Sequence, residues 1–187
     1  GDIDSLLKLL PYYNSTQKAN ILLELSQQYL SFSMDSSREY ALMALAKAKE
    51  LKDQNLIAEA YKTLGNIYYY QGNNNKVVGY YDSSLVAYTM MHDSAGMANV
   101  WNNLGLIYQH LGNYQVSIDY NLKSLRYKMS INDSVGIISS YNNIGSIYYD
   151  LGEYIISQNY FLKALRICEK LHSYKYSPGI LNNLGLI

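Results

Sequence analysis

An aliphatic residue followed by glycine recurs every forty residues in this chain: Leu64-Gly65, Leu104-Gly105, Ile144-Gly145 and Leu184-Gly185. The surrounding strings are YKTLGNIYYYQGN, WNNLGLIYQHLGN, YNNIGSIYYDLGE and LNNLGLI. A fixed period of this length marks a repeat architecture, in which one small unit stacks on copies of itself to bury its apolar face. Stacked units build an extended surface. The function to look for is therefore recognition of a partner rather than catalysis in a pocket.

Composition agrees with a helical reading. Hydrophobic residues make up 49% of the 187, enough for a substantial core, and only two prolines interrupt the chain. Proline breaks helix interiors, so its scarcity points to long uninterrupted helices. Lys plus Arg and Asp plus Glu both number 15, and no basic stripe appears. Nucleic acid and anionic membranes are therefore poor partners for this region. The single cysteine, Cys168, excludes an intrachain disulfide, which suits a reducing cytosol and equally allows a periplasm. No apolar run is long enough to span a bilayer, and no signal-peptide pattern occurs. The opening Gly1-Asp2-Ile3-Asp4 and the close inside a repeat read as the ends of a piece of a longer protein.

Helix signals divide the chain into pairs. Residues 2–10 form a short amphipathic helix capped by Asp2 or Asp4, with Pro11 after its end. Paired helices are then expected over 16–31 and 35–52, 54–71 and 74–92, 94–111 and 114–131, and 134–151 and 153–172, with a fifth unit opening near Tyr176. Gly72, Gly112 and Gly152 fall just past helix ends, where a left-handed residue lets the last carbonyls be capped. Asp93 and Asp133 stand as N-caps between units. The glycines at 65, 105, 145 and 185 lie inside helices, where each costs roughly 1 kcal/mol relative to alanine. Their recurrence predicts close approach, with the backbone of the second helix of each pair crossing the first there.

These residues resemble the tetratricopeptide repeat. Its first-helix pattern of aromatic, Leu-Gly and Tyr is matched by Tyr61, Leu64, Gly65 and Tyr68, by Trp101, Leu104, Gly105 and Tyr108, and by Tyr141, Ile144, Gly145 and Tyr148. Second-helix matches are Val77, Tyr81 and Ser84, then Ser157, Phe161 and Ala164; in the third unit Ser117 and Asn121 depart from the pattern, and softer packing is expected there. The period of forty exceeds the family's usual length of about 34, as in its long-repeat branch, which binds peptides and cargo adaptors. The resemblance implies an all-α, right-handed solenoid of antiparallel helix pairs. Residues 2–15 would form an N-terminal cap, and residues 16–187 about four repeats plus the first helix of a fifth. The strings DSLLKLLP and ANILLELSQQYL are also similar to the start of bacterial sensor proteins, in which such a region precedes a membrane helix and a kinase or DNA-binding output module. That resemblance implies an extracytoplasmic, periplasmic location in a membrane-anchored protein, with the cytoplasm as the other reading.

In the family, first helices line a concave face. Here that face would carry Glu59, Lys62, Thr63, Asn66, Tyr69 and Tyr70, then Asn99, Asn102, Asn103, Leu106, Gln109 and His110, then Ser139, Asn142, Asn143, Ser146, Tyr149 and Asp150, with Asn182 and Asn183 continuing the row. Asn103, Asn143 and Asn183 recur once per unit. A carboxamide offers donors and an acceptor, so such a row can hold the backbone of an extended peptide without reading its sequence. The alternatives are that asparagine recurs because the repeats duplicated, or that it bonds a neighbouring helix. Tyr68 and Tyr148 are expected to be buried, and Tyr69, Tyr70 and Tyr149 to face the groove. Lys62, Asn66 and Asn103 match part of a carboxylate-gripping clamp, but Ser139 and Asn143 stand where its two cations belong, which argues against a free carboxylate as ligand.

Nothing here suggests an enzyme. His92, His110 and His172 lack metal-ligand spacing, Cys168 has no identifiable base, and no phosphate-cradling glycine loop follows a strand. No cofactor or metal is implied. The expected function is a binding scaffold for a protein or peptide segment, serving as the sensory or interaction region of a larger bacterial regulator. The competing reading is self-assembly, including a homodimer through the solenoid ends, with the groove empty.

Overall fold

The computed structural model describes residues 3–172, 175 and 177–186. Its helices are α1 (Ile3–Leu9), a 3₁₀ turn at Leu10–Tyr12, α2 (Ser15–Tyr29), α3 (Met34–Leu51), α4 (Gln54–Tyr70), α5 (Asn74–Met90), α6 (Ser94–His110), α7 (Tyr114–Ser130), α8 (Ser134–Asp150), α9 (Tyr154–Lys170) and α10 (Ser177–Gly185). Among the described residues there is no strand. The expected pairs are all present, with ends displaced by only one or two residues; Tyr176 lies outside the described residues. Gly1–Gly96 and Met97–Ile187 form two compact units.

The forty-residue period has a local cause. Each helix from α4 to α9 holds 17 residues, and three-residue turns join them. Within pairs, the amide of Asn73 reaches the carbonyl of Tyr68 at 3.0 Å and Gly72 reaches Tyr69 at 2.9 Å, with Asn113 on Tyr108 and Glu153 on Tyr148 repeating the wider bond at 2.8 and 2.9 Å. This doubled bond needs a left-handed residue after the helix. Gly72, Gly112 and Gly152 supply it, with φ of 70, 74 and 76°. The turns between pairs use the same geometry with side chains present: Lys52, His92, Asn132 and His172 have φ of 50 to 55°. Sequence patterns that look for glycine at such turns miss these four. Asp133 caps α8 through Gly136 N–H at 2.9 Å, and Asp93 accepts from Ala95 and Gly96 at 3.0 Å, as their sequence positions suggested.

The helix-interior glycines do not bring two backbones together. A Cβ on Gly65 would lie 2.5 Å from the ring of Tyr81, one on Gly145 would lie 2.7 Å from Phe161, and one on Gly105 would lie 2.2 Å from the carboxamide of Asn121. Each glycine is a seat for one side chain of the partner helix. Beside two of the seats a serine adds a bond: Ser117 Oγ donates to Gly105 O at 2.6 Å and Ser157 Oγ to Gly145 O at 2.7 Å. Gly185 has nothing above it. A second glycine series serves the same purpose, since Gly96 lies under the ring of Tyr88 and Gly136 under the stem of Lys128.

Tyrosine explains much of the remaining packing. One stacked pair joins each helix pair: Tyr29 with Tyr40, Tyr68 with Tyr80, Tyr108 with Tyr120 and Tyr148 with Tyr160, at centroid distances of 5.3, 5.2, 5.6 and 5.6 Å. Offset stacks of this kind contribute about 0.5–1.5 kcal/mol beyond their buried area. Tyr68 is buried as expected, whereas Tyr148 is half-buried beneath Tyr160. Lysine stems cover several rings, with Nζ of Lys76 4.8 Å from the centre of Tyr68 and Lys163 4.8 Å from Tyr160.

Candidate functional site

In the unit Met97–Ile187, α6, α8 and α10 carry the asparagine doublets at 102–103, 142–143 and 182–183. Asn143 Nδ2 donates to Asn102 Oδ1 at 3.1 Å, and Asn183 Nδ2 donates to Asn142 Oδ1 at 3.0 Å. In the later two doublets the second asparagine thus reaches the first of the doublet before it, 41 residues back. That offset is the repeat period plus one, which is why doublets recur rather than single asparagines. Asn143 and Asn183 therefore bond a neighbouring helix, one of the alternatives that the sequence left open. Both pairs remain half-buried rather than enclosed, and Asn103 beside them is half-buried too. The orientation leaves Nδ2 of Asn102 and of Asn142, and Oδ1 of Asn143 and of Asn183, without a protein partner among the described residues.

Other residues expected on this face behave similarly. Gln109 Nε2 donates to Ser146 Oγ at 3.1 Å and to Asp150 Oδ2 at 2.6 Å, again linking α6 to α8. Asn99, Asn182 and His110 are exposed, and Tyr149 is half-buried with its ring 5.5 Å from Tyr154. Behind the row, fully buried Asn121 on α7 accepts from Asn143 Nδ2 at 3.4 Å. From the sequence, Asn121 reads only as a departure from the repeat pattern that softens packing. The available signal was its place in the period, forty residues from Tyr81 and from Phe161.

In the unit Gly1–Gly96, α4 carries Lys62, Asn66 and Tyr69. Lys62 Nζ pairs with Glu59 at 2.7 Å, and the Tyr88 hydroxyl donates to the same carboxylate. Burial and that bond push the Tyr88 phenol far above the ordinary tyrosine range. The positive charge of Lys62 is thus already matched by Glu59, which gives a ligand carboxylate little to gain there. Asn66 Oδ1 accepts from the Tyr81 hydroxyl at 2.7 Å, so the ring seated on Gly65 also orients the neighbouring carboxamide. Tyr69 meets Tyr70 edge-on at 5.5 Å. Thr63, read onto the same face, is buried instead.

Cys168 is buried, and its burial raises the thiol above its ordinary value, the opposite of what a nucleophile needs. Among the described residues no group of His, Cys, Asp and Glu has the geometry to hold a metal ion, and no helix is long and apolar enough to cross a membrane.

Residues 96–170 match the tetratricopeptide repeat family, and within each compact unit successive helices pack in antiparallel pairs, α2 on α3, α4 on α5 and α8 on α9. This is a tetratricopeptide repeat fold. No curated protein sequence matches the chain. Among solved structures, the repeats resemble a signal transduction ATPase with numerous domains that carries a tetratricopeptide repeat sensor, from Pyrococcus horikoshii, with a TM-score of 0.88 and 20% identity over 97% of this chain and 28% of that one. They also resemble aspartyl phosphate phosphatase F from Bacillus subtilis, with a TM-score of 0.85 and 17% identity over 94% of this chain and 46% of the other. A third likeness is to NprR in complex with its cognate peptide NprX, with a TM-score of 0.68 and 18% identity over 98% of this chain and 63% of that one. The chain thus spans less than half of the first two proteins. At these identities the likeness shows the fold alone.

Proposed function

We propose that the face formed by α6, α8 and α10 binds an extended peptide or protein segment, as the interaction region of a larger regulatory protein. One observation carries this reading. The cross-helix asparagine pairs leave the others of their polar atoms, Nδ2 of Asn102 and of Asn142 and Oδ1 of Asn143 and of Asn183, without a protein partner among the described residues. A peptide unit needs one acceptor for its N–H and one donor for its C=O. Each asparagine pair offers that complement at a half-buried surface. The fold shared with a peptide-bound protein, NprR with NprX, supports the same reading.

The test is a random-sequence peptide display selection on the wild-type chain, repeated with Asn102→Ala/Asn143→Ala. The expected result is capture by wild type and a loss of about tenfold or more in the double variant, since each lost hydrogen bond is worth about 1 kcal/mol. Equal capture by a double variant with an unchanged melting curve rejects the asparagine face.

A second reading is favoured by one surface. At the start of α9, Tyr154, Ile155 and Ile156 are exposed, Ile155 at 79%, as an association surface would be. If that surface pairs two copies, Ile155→Lys/Ile156→Lys shifts the mass measured by light scattering from dimer to monomer.

A further inference from the structure

In the carboxamide row the Asn102–Asn143 pair has a fixed hydrogen-bond polarity, and the chain of bonds that fixes it ends on the backbone. Asn121 Nδ2 donates to the carbonyl of Ser117 at 2.9 Å. A carbonyl oxygen only accepts, so this bond decides which end of the Asn121 carboxamide is nitrogen. Its Oδ1 must then be the atom facing Asn143, at 3.4 Å. Oδ1 only accepts as well, so Asn143 must present Nδ2 there. The same Nδ2 donates its other hydrogen to Asn102 Oδ1 at 3.1 Å. Both hydrogens of Asn143 are consumed. Its Oδ1 is left as an acceptor with no protein partner among the described residues, and Asn102, whose oxygen already accepts one bond, keeps Nδ2 as its donor. The Asn142–Asn183 pair has the same sense, with the oxygen of the earlier helix accepting from the nitrogen of the later one.

From this geometry we infer that Asn121, fully buried and out of reach of any ligand, is the positioning residue that sets the polarity of the binding face, so that a peptide is accepted in only one of its two chain directions. The inference rests on the peptide-binding reading above. A row in which each pair puts its free donor on the earlier helix and its free acceptor on the later one meets the N–H and C=O groups of an extended strand in one order, and reversing the strand sets acceptor against acceptor and donor against donor. Asn121 has room to do this because Gly105 carries no side chain; a Cβ there would lie 2.2 Å from Asn121 Nδ2. In the corresponding seats the units carry Tyr81 on Gly65 and Phe161 on Gly145. Among the described residues, only the pair α6–α7 has a seated amide that passes backbone polarity to the face.

Two measurements on the whole chain test this. The first needs no ligand. In the proton–nitrogen spectrum of the wild type, both Nδ2 hydrogens of Asn143 are expected to exchange slowly with solvent. In Asn121→Phe, which borrows the ring that already fits the seat on Gly145, one of them is expected to exchange about five- to tenfold faster, as for loss of one hydrogen bond of about 1 kcal/mol. Rapid exchange of both hydrogens in the wild type overturns the anchor whether or not the variant folds. The second uses a peptide selected on the wild-type chain from the display library, carrying a nitroxide at one end or the other. Each label is expected to broaden amides of only one of α6 and α10, the two labels marking opposite helices, and Asn121→Phe is expected to mix the two patterns. A label that broadens both helices in the wild type, or a variant that binds less tightly in the same single direction, overturns the polarity role. A chain that selects no peptide at all fails the function proposed above and takes the direction with it, while the anchor is still decided by the Asn143 hydrogens.

Discussion

At the residue scale, small side chains decide what the large ones can do. Gly65, Gly105 and Gly145 are seats, and what sits in them is an aromatic ring twice and a carboxamide once. Gly105→Ala places a methyl group 2.2 Å from Asn121, and overpacking of this kind costs about 1–3 kcal/mol. Thermal melting is expected to show the loss. Loss is also expected at Gly65→Ala, where the neighbour is the ring of Tyr81. Lys128 is a different case. It is 8% exposed, with Nζ 3.4 Å from Ser140 Oγ. Burial lowers its pKa, and nearby Asp133 opposes that only in part. Between the lowered value and an unfolded value of about 10.4, the unfolded chain holds more protons than the native one. Stability from this group is therefore lowest below that window and rises with pH through it. Lys128→Met, which keeps the aliphatic stem, is expected to gain about 1 kcal/mol or more near neutrality. Its advantage in urea midpoint should shrink as pH approaches 10, the unfolded lysine range. A constant difference between the two proteins across that range would count against the buried ammonium.

At the scale of helix and turn, a 17-residue helix followed by a three-residue link is the unit that the chain repeats. The doubled capping bond sets the link length, and the link length sets the register of everything downstream. The four non-glycine residues held at positive φ make this testable. The left-handed conformation costs an L-residue roughly 1–2 kcal/mol, and glycine's extra entropy loss offsets part of the relief. His92→Gly is accordingly expected to raise stability by up to about 1 kcal/mol, read as a higher denaturation midpoint. These elements also show what the sequence made legible. Helix existence, pairing and the glycine links could be read because glycine at a helix end and aspartate at a start have single physical meanings. The partner of each interior glycine could not. A missing side chain announces only that something approaches, and both a backbone and a ring satisfy that. The asparagine doublets were visible as a period, but their cross-helix bonding was not. An exposed amide and a helix-bridging amide look identical until the neighbouring helix is placed one residue out of step. Asn121 was hardest to read, because a single polar residue in an apolar seat shows no sign of the atom it will face.

At the scale of the whole molecule, stability is a sum of nearest-neighbour terms, as expected for stacked repeats. The two compact units, Gly1–Gly96 and Met97–Ile187, give that a sharp form. A lesion at Gly65 is expected to raise amide hydrogen exchange through α2–α5 far more than through α7–α9, and one at Gly145 to do the reverse. Equal acceleration across the chain would mean a single cooperative block. The tyrosine stacks offer a way to watch this without isotopes. Each helix pair from α2–α3 to α8–α9 holds one stacked pair of identical chromophores 5.2–5.6 Å apart, and their planes lie within 21°. Identical transition dipoles at that distance couple, so every repeat has its own near-ultraviolet circular-dichroism reporter. Replacing one member, as in Tyr40→Leu or Tyr160→Leu, silences a single repeat. The melting of each can then be followed optically by difference, with the protein labelling its own parts.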